Sequence, residues 1–136
     1  MATFVYDNAA NNFASGVLVW PSLPVNAALV DANYNPKTVD LYLDAIPTAA
    51  IVVRDLALTG LGVTPDHIAY GKIPRILALV WPYPVVGLVL YNKQSTDAIS
   101  DLLYYSSDAV GSPFLPRGLN WEYQYNQIRR GFFTVQ

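Results

Sequence analysis

Proline and glycine punctuate this chain so often that long helices have no room to form. Ten prolines and eight glycines fall among 136 residues, and each proline removes a backbone donor and obstructs the helical turn before it. Few windows of a dozen residues stay unbroken, so short strands joined by turns are the expected framework. Two short helices fit the gaps: residues 8–15, ended by Gly16, and residues 38–45, with Thr38 as N-cap and Pro47 blocking continuation.

Strand signals are stronger. Residues 26–30 and 50–58 are apolar, the second carrying the β-branched run Ile51-Val52-Val53 that suits a pleated surface. Residues 76–80 and 85–91 are apolar at both odd and even positions and flank Trp81-Pro82-Tyr83-Pro84. Such runs imply strands covered on both faces, either central in a sheet or covered by a partner. Residues 120–126 alternate, with Trp121, Tyr123 and Tyr125 on one face and Asn120, Glu122, Gln124 and Asn126 on the other, as in a half-buried antiparallel strand. Residues 132–135 are expected to pair with it as a hairpin. No internal repeat or domain boundary interrupts residues 1–136, which read as a single domain.

Only 13% of residues are charged and 53% are hydrophobic, with a mean hydropathy of +0.26. Soluble domains average roughly 25% charged residues, so the shortage asks for a cause. A membrane span is a poor one: residues 76–91 follow Arg75, are broken by Pro82 and Pro84, and fall short of the ~20 apolar residues a helix needs to cross. Apolar surface covered by other subunits accounts for the composition better, because interface cores are rich in aromatics and poor in charge. The net charge of −2 gives no argument for nucleic acid or an anionic membrane. Cysteine is absent, which suits synthesis in a reducing cytoplasm, and Met1-Ala2-Thr3-Phe4 shows no basic leader before an apolar stretch.

The usual signatures of catalysis are missing from the sequence. The single histidine, His67, sits in the turn-like Thr64-Pro65-Asp66-His67, and no Gly-x-Ser-x-Gly elbow supplies a nucleophile. Asp97, Asp101 and Asp108 lack the spacing and the glycine of a calcium loop, and the lone glutamate, Glu122, has no partner that spacing would select for a glycosidase pair. No phosphate-binding glycine loop occurs. No catalytic residue, cofactor or metal is assigned, and an enzyme is not expected.

Two segments look built for contact. Trp121, Tyr123 and Tyr125 near Arg129-Arg130 resemble a stacking platform for single-stranded nucleic acid, but the same alternation is what a core-facing strand shows, and a place in the core or a subunit interface is expected. The loop of residues 106–118 carries Gly111, Pro113, Pro116 and Gly118, which restrict its backbone. Phe114 and Leu115 then serve as an anchor with Arg117 at the rim, or Phe114 folds back onto the end of the core.

Five segments, in their order and spacing, carry a resemblance: Leu29-Val30-Asp31-x-x-Tyr34-x-Pro36; Leu43-Asp44-Ala45-Ile46-Pro47; Val86-Gly87-Leu88-Val89-Leu90-Tyr91; Leu103-Tyr104-Tyr105-Ser106-Ser107-Asp108-x-x-Gly111-x-Pro113-Phe114-x-Pro116-x-Gly118; and Gly131-Phe132-Phe133. Across most of residues 25–136 they are similar to a group of small tailed-bacteriophage virion proteins. The resemblance implies a structural role in the virion, as a capsid decoration or cement protein that binds the outer capsid, with a tail, neck or glycan-binding host-attachment protein as the alternative. Its implied partners are further copies of itself, as a homo-oligomer, and the major capsid protein or other virion proteins, with no membrane and no nucleic acid. The expected fold is all-β or β-rich, an antiparallel β-sandwich of jelly-roll type with one or two short helices. The candidate interface residues are Phe114, Leu115, Arg117, Trp121, Tyr123, Tyr125, Arg129 and Arg130.

Overall fold

The structure is a computed structural model and describes residues 3–107, 114–122 and 131–135. It is β-rich and antiparallel, with one α-helix, as the punctuation of the sequence requires. In chain order the elements are β1 (Thr3–Val5), α1 (Asp7–Ala14), β2 (Val25–Asp31), β3 (Ile51–Ala57), β4 (Thr59–Val63), β5 (Ile68–Lys72), β6 (Ile76–Val80), β7 (Val85–Asn92), β8 (Leu102–Ser106), β9 (Arg117–Trp121) and β10 (Phe133–Thr134). They form a five-stranded sheet in the order β1-β8-β7-β2-β3, a three-stranded sheet β10-β5-β4, and a two-stranded ribbon of β6 and β9.

The five-stranded sheet holds the core. β7 and β8 are buried along nearly their whole length, as both-parity apolar runs demand. Each fully buried leucine there, Leu88 and Leu90 among them, contributes about 1.5–3 kcal/mol. Tyr104 of β8 stacks on Phe133, ring centroids 5.3 Å apart, and Phe133 also meets Phe13 of α1 and Trp20. The neighbouring Tyr105 meets Phe4 at 5.6 Å and Tyr34 at 6.2 Å. Consecutive strand residues point to opposite faces, so the helix and C-terminal rings cover one face of the sheet and the segment around Tyr34 covers the other.

Two sequence expectations are corrected. Residues 38–45 do not form a helix; only a 3-10 turn, Leu43–Ala45, is helical. Tyr42 is extended and bridges Asp101, and the Leu43 amide donates to the Ser100 carbonyl at 2.9 Å, so pairing with the chain before β8 takes the backbone groups that a helix would use. The final strand, β10, does not pair with the strand of Trp121. Phe133 lies opposite Ala69 of β5, while β9 pairs with β6.

Candidate protein interface

β6 is the exception among the strands. Its sequence is as apolar as that of β7, yet among the described residues it pairs only with β9 and leaves Leu77 64% and Val80 69% exposed. Ile76 and Leu79 are buried, so one set of side chains joins the core and the rest faces outward. A bulge sets this arrangement: Ile76 lies opposite Trp121 and Leu79 opposite Leu119, so three steps along β6 match two along β9. Ala78 takes the left-handed conformation, φ 52°, which costs an L-residue about 1–2 kcal/mol. Its amide is satisfied by Oδ1 of Asn120 at 3.0 Å. Leu77 and Ala78, the bulged pair, are both exposed.

The candidate residues that are described converge on this ribbon. Phe114 and Val85 exchange both backbone hydrogen bonds, at 2.7 and 3.2 Å. The Phe114 ring stacks on Trp121, centroids 6.4 Å apart and planes 8° from parallel, and both rings pack against the core. Phe114 therefore folds back, and Leu115 beside it is exposed. Arg117, exposed, opens β9 opposite Val80. Tyr123, Tyr125, Arg129 and Arg130 lie outside the described residues.

Sequence reasoning did not place Leu77, Val80 and Tyr83 among the interface candidates, although all three are exposed here. The signal was the both-parity apolar run of β6, which fits a strand covered by a partner as well as a central one.

The ribbon is tied to the main sheet through a buried carboxylate. Asp31, fully buried at the end of β2, accepts from the Trp81 indole N–H and from the Asn33 amide, each at 2.9 Å. The other tryptophans are also occupied: Trp20 is buried and donates to the Tyr70 carbonyl at 2.9 Å, and Trp121 is half-buried.

Ionisable groups elsewhere are arranged as clamps. Arg54 of β3 donates to both carboxylate oxygens of Asp97, at 2.8 and 2.7 Å, and to Asp55 at 3.1 Å. Asp55 also accepts from the Tyr91 hydroxyl at 2.7 Å and from Lys93 at 3.1 Å. Burial acts to raise the Asp55 pKa, but the hydrogen bonds from Tyr91, Lys93 and Arg54 outweigh it and hold the carboxyl at about 2. Burial, then the hydrogen bond to Asp55, pushes Tyr91 up to about 12. A second chain links the Tyr6 and Tyr34 hydroxyls at 2.7 Å and Tyr34 to Asp40 at 2.9 Å, with burial foremost in raising both phenols. Around neutral pH the phenols are protonated and Asp55 is ionised, and each shift moves its group further from titration there, so both clusters hold one protonation state as structural links.

His67 is exposed and closes the β4–β5 hairpin. Its amide donates to the Thr64 carbonyl at 2.9 Å, Thr64 pairs with Ile68, and His67 itself has φ 65°. Among the described residues no group of three or more His, Cys, Asp or Glu side chains is placed to hold a metal ion, and no helix is long and apolar enough to cross a membrane.

No family model, curated protein or solved structure matches this chain.

Proposed function

We propose that this chain is a non-enzymatic structural subunit of a bacteriophage particle, a capsid decoration or cement protein that works by packing the β6–β9 ribbon against other protein subunits. The observation that carries the reading is the exposure of Leu77 and Val80 on a strand whose sequence is apolar on both parities. Covering each side chain would contribute about 1.5–3 kcal/mol, and the Trp81–Asp31 tie anchors the base of the ribbon. The virion context rests on the resemblance of the segments from Leu29 to Phe133. A cement protein needs self-complementary or shell-complementary surfaces, and it stabilises the shell by mass action because it binds assembled subunits in preference to free ones.

The host-attachment alternative requires exposed rings lining a groove. Tyr83 is exposed, but Trp20 is buried and Trp81 and Trp121 are half-buried, which weighs against a sugar platform.

The test is cryo-electron microscopy of phage particles that contain the chain, together with a binding assay of a Leu77→Glu/Val80→Glu double variant on empty shells. The reading expects density at regular sites on the capsid and loss of binding by a variant that melts at the wild-type temperature. Density confined to the tail would favour host attachment, and unimpaired binding by the variant would remove the ribbon from the contact.

A further inference from the structure

A second exposed apolar patch lies at the opposite end of the central strand from the ribbon. β7 begins at Val85, which bridges Phe114 beside the ribbon, and ends at Asn92, whose amide donates to the Asp101 carbonyl at 2.8 Å. Eight strand residues at ~3.3 Å each separate these ends by roughly 25 Å. Around the Asn92 end, Val39 is 66% and Ile99 52% exposed, and Leu41 is also exposed. The backbone brings their segments to that end: the Leu102 amide donates to the Leu41 carbonyl at 3.0 Å, the Leu43 amide to the Ser100 carbonyl at 2.9 Å, and the Asp7 amide to the Thr38 carbonyl at 2.8 Å.

The two patches are flanked by opposite charge. At the Asn92 end Asp7 and Asp44 are exposed and Asp40 and Asp101 partly so, against Lys37 and Lys93, the second of which is already paired with Asp55. Asp97 lies close to Ile99 in sequence, but Arg54 already pairs with it. At the ribbon, Arg75 leads into β6 and Arg117 opens β9, both exposed, against one exposed acid among the described residues, Glu122. The ribbon of a copy cannot reach the patch of the same copy across the length of β7. Two ribbons facing each other would bring like charges together, which disfavours that pairing.

We propose that copies of this chain associate head to tail, with the arginine-flanked β6–β9 ribbon of one copy seated on the aspartate-flanked patch of Val39, Leu41 and Ile99 of the next. The proposal rests on the reading of the ribbon as a subunit contact and names what covers it. A contact between two different surfaces propagates into a ring if the rotation closes and into a filament if it does not.

The test uses two full-length variants, a ribbon-blocked Leu77→Glu/Val80→Glu and a patch-blocked Leu41→Lys/Ile99→Lys, each checked for fold by circular dichroism and studied by sedimentation velocity over a range of concentrations. All four positions are exposed; should either variant lose its fold, the milder Leu77→Ser and Ile99→Ser take its place. Wild type is expected to form closed or open oligomers, weakened as NaCl rises from about 0.1 M to about 1 M. Each variant alone is expected to be monomeric, and an equal mixture to form a dimer and nothing larger, since it holds one intact ribbon and one intact patch per pair. A patch-blocked variant that assembles like wild type, or a wild type that stays monomeric while still binding shells through the ribbon, overturns the head-to-tail contact and leaves the ribbon reading standing. A ribbon-blocked variant that assembles and binds shells like wild type overturns both.

Discussion

Trp81 donates its indole N–H to the fully buried carboxylate of Asp31 at 2.9 Å, and this bond joins the base of the exposed ribbon to the end of a central strand. The Asn33 amide also donates to that carboxylate. Trp81→Phe keeps a ring of similar shape and leaves the buried oxygen without its indole donor, a change that costs about 1–3 kcal/mol. Urea denaturation is expected to show that loss. Hydrogen exchange is expected to quicken in β6 and β9 before it quickens in β7, because the lost bond loosens the attachment of the ribbon more than the core.

Gly87 and Tyr105 occupy adjacent strands so closely that a Cβ on Gly87 would meet the Tyr105 ring and hydroxyl at 2.5 Å. Tyr105 is packed between Phe4 and Tyr34, so its ring has little room to yield. Gly87→Ala is expected to destabilise by about 1–3 kcal/mol through overpacking. In the Tyr105→Leu background the same substitution should cost far less, and a double-mutant cycle by chemical denaturation measures the difference.

His67 sits at φ 65° in the turn between β4 and β5, with its amide and carbonyl both bonded, the latter to the Val135 amide at 2.7 Å. Glycine adopts that conformation without strain, and a β-branched residue resists it. His67→Gly is therefore expected to stabilise the fold by about 0.5–1 kcal/mol and His67→Val to destabilise it by about 1–2 kcal/mol. Thermal melts of the two variants give the order, and a wild type more stable than His67→Gly would mean that the strain at this φ is smaller than the extra freedom glycine gives the unfolded chain.

The elements readable from sequence are those whose cause is local. The apolar run of residues 85–91 became β7, the 26–30 run became β2, and the helix before Gly16 formed one residue early, as α1. Failures came where distant residues decide. Residues 38–45 carry a cap and a stop, but Tyr42 is drawn into a bridge with Asp101, far along the chain. The last strand had an aromatic neighbour in sequence at Trp121 and took Ala69 as its partner in space. At the candidate interface, the apolar pattern of β6 marked it for burial without saying by what. Only the register with β9, and the bulge at Leu77 and Ala78, show which side chains are left outside. Leu115 and Arg117 are exposed beside them, while the inward turn of Phe114 depended on its pairing with Val85, which is distant in sequence.

The charged clamp on β3 sets the acid response. Asp55 titrates at about 2 in the folded chain against an ordinary value of 3.8, and Asp97 is lowered as well, by its hydrogen bond to Arg54. A carboxylate depressed on folding stabilises the native state above its unfolded pKa, and that contribution disappears as pH falls through the folded value, so stability is lost in the window from 3.8 down to about 2. The Asp55 side chain is 45% exposed, and solvent screening keeps its share within about 1 kcal/mol. Asp55→Asn tolerates the positive φ of this position, 60°, while removing the charge. Urea midpoints compared at about pH 7 and about pH 2 should fall less for Asp55→Asn than for wild type, and the gap should narrow in high salt. An equal fall in both proteins would assign the acid sensitivity to other carboxylates and reduce the Arg54–Asp55–Lys93 bridges to surface contacts without net worth.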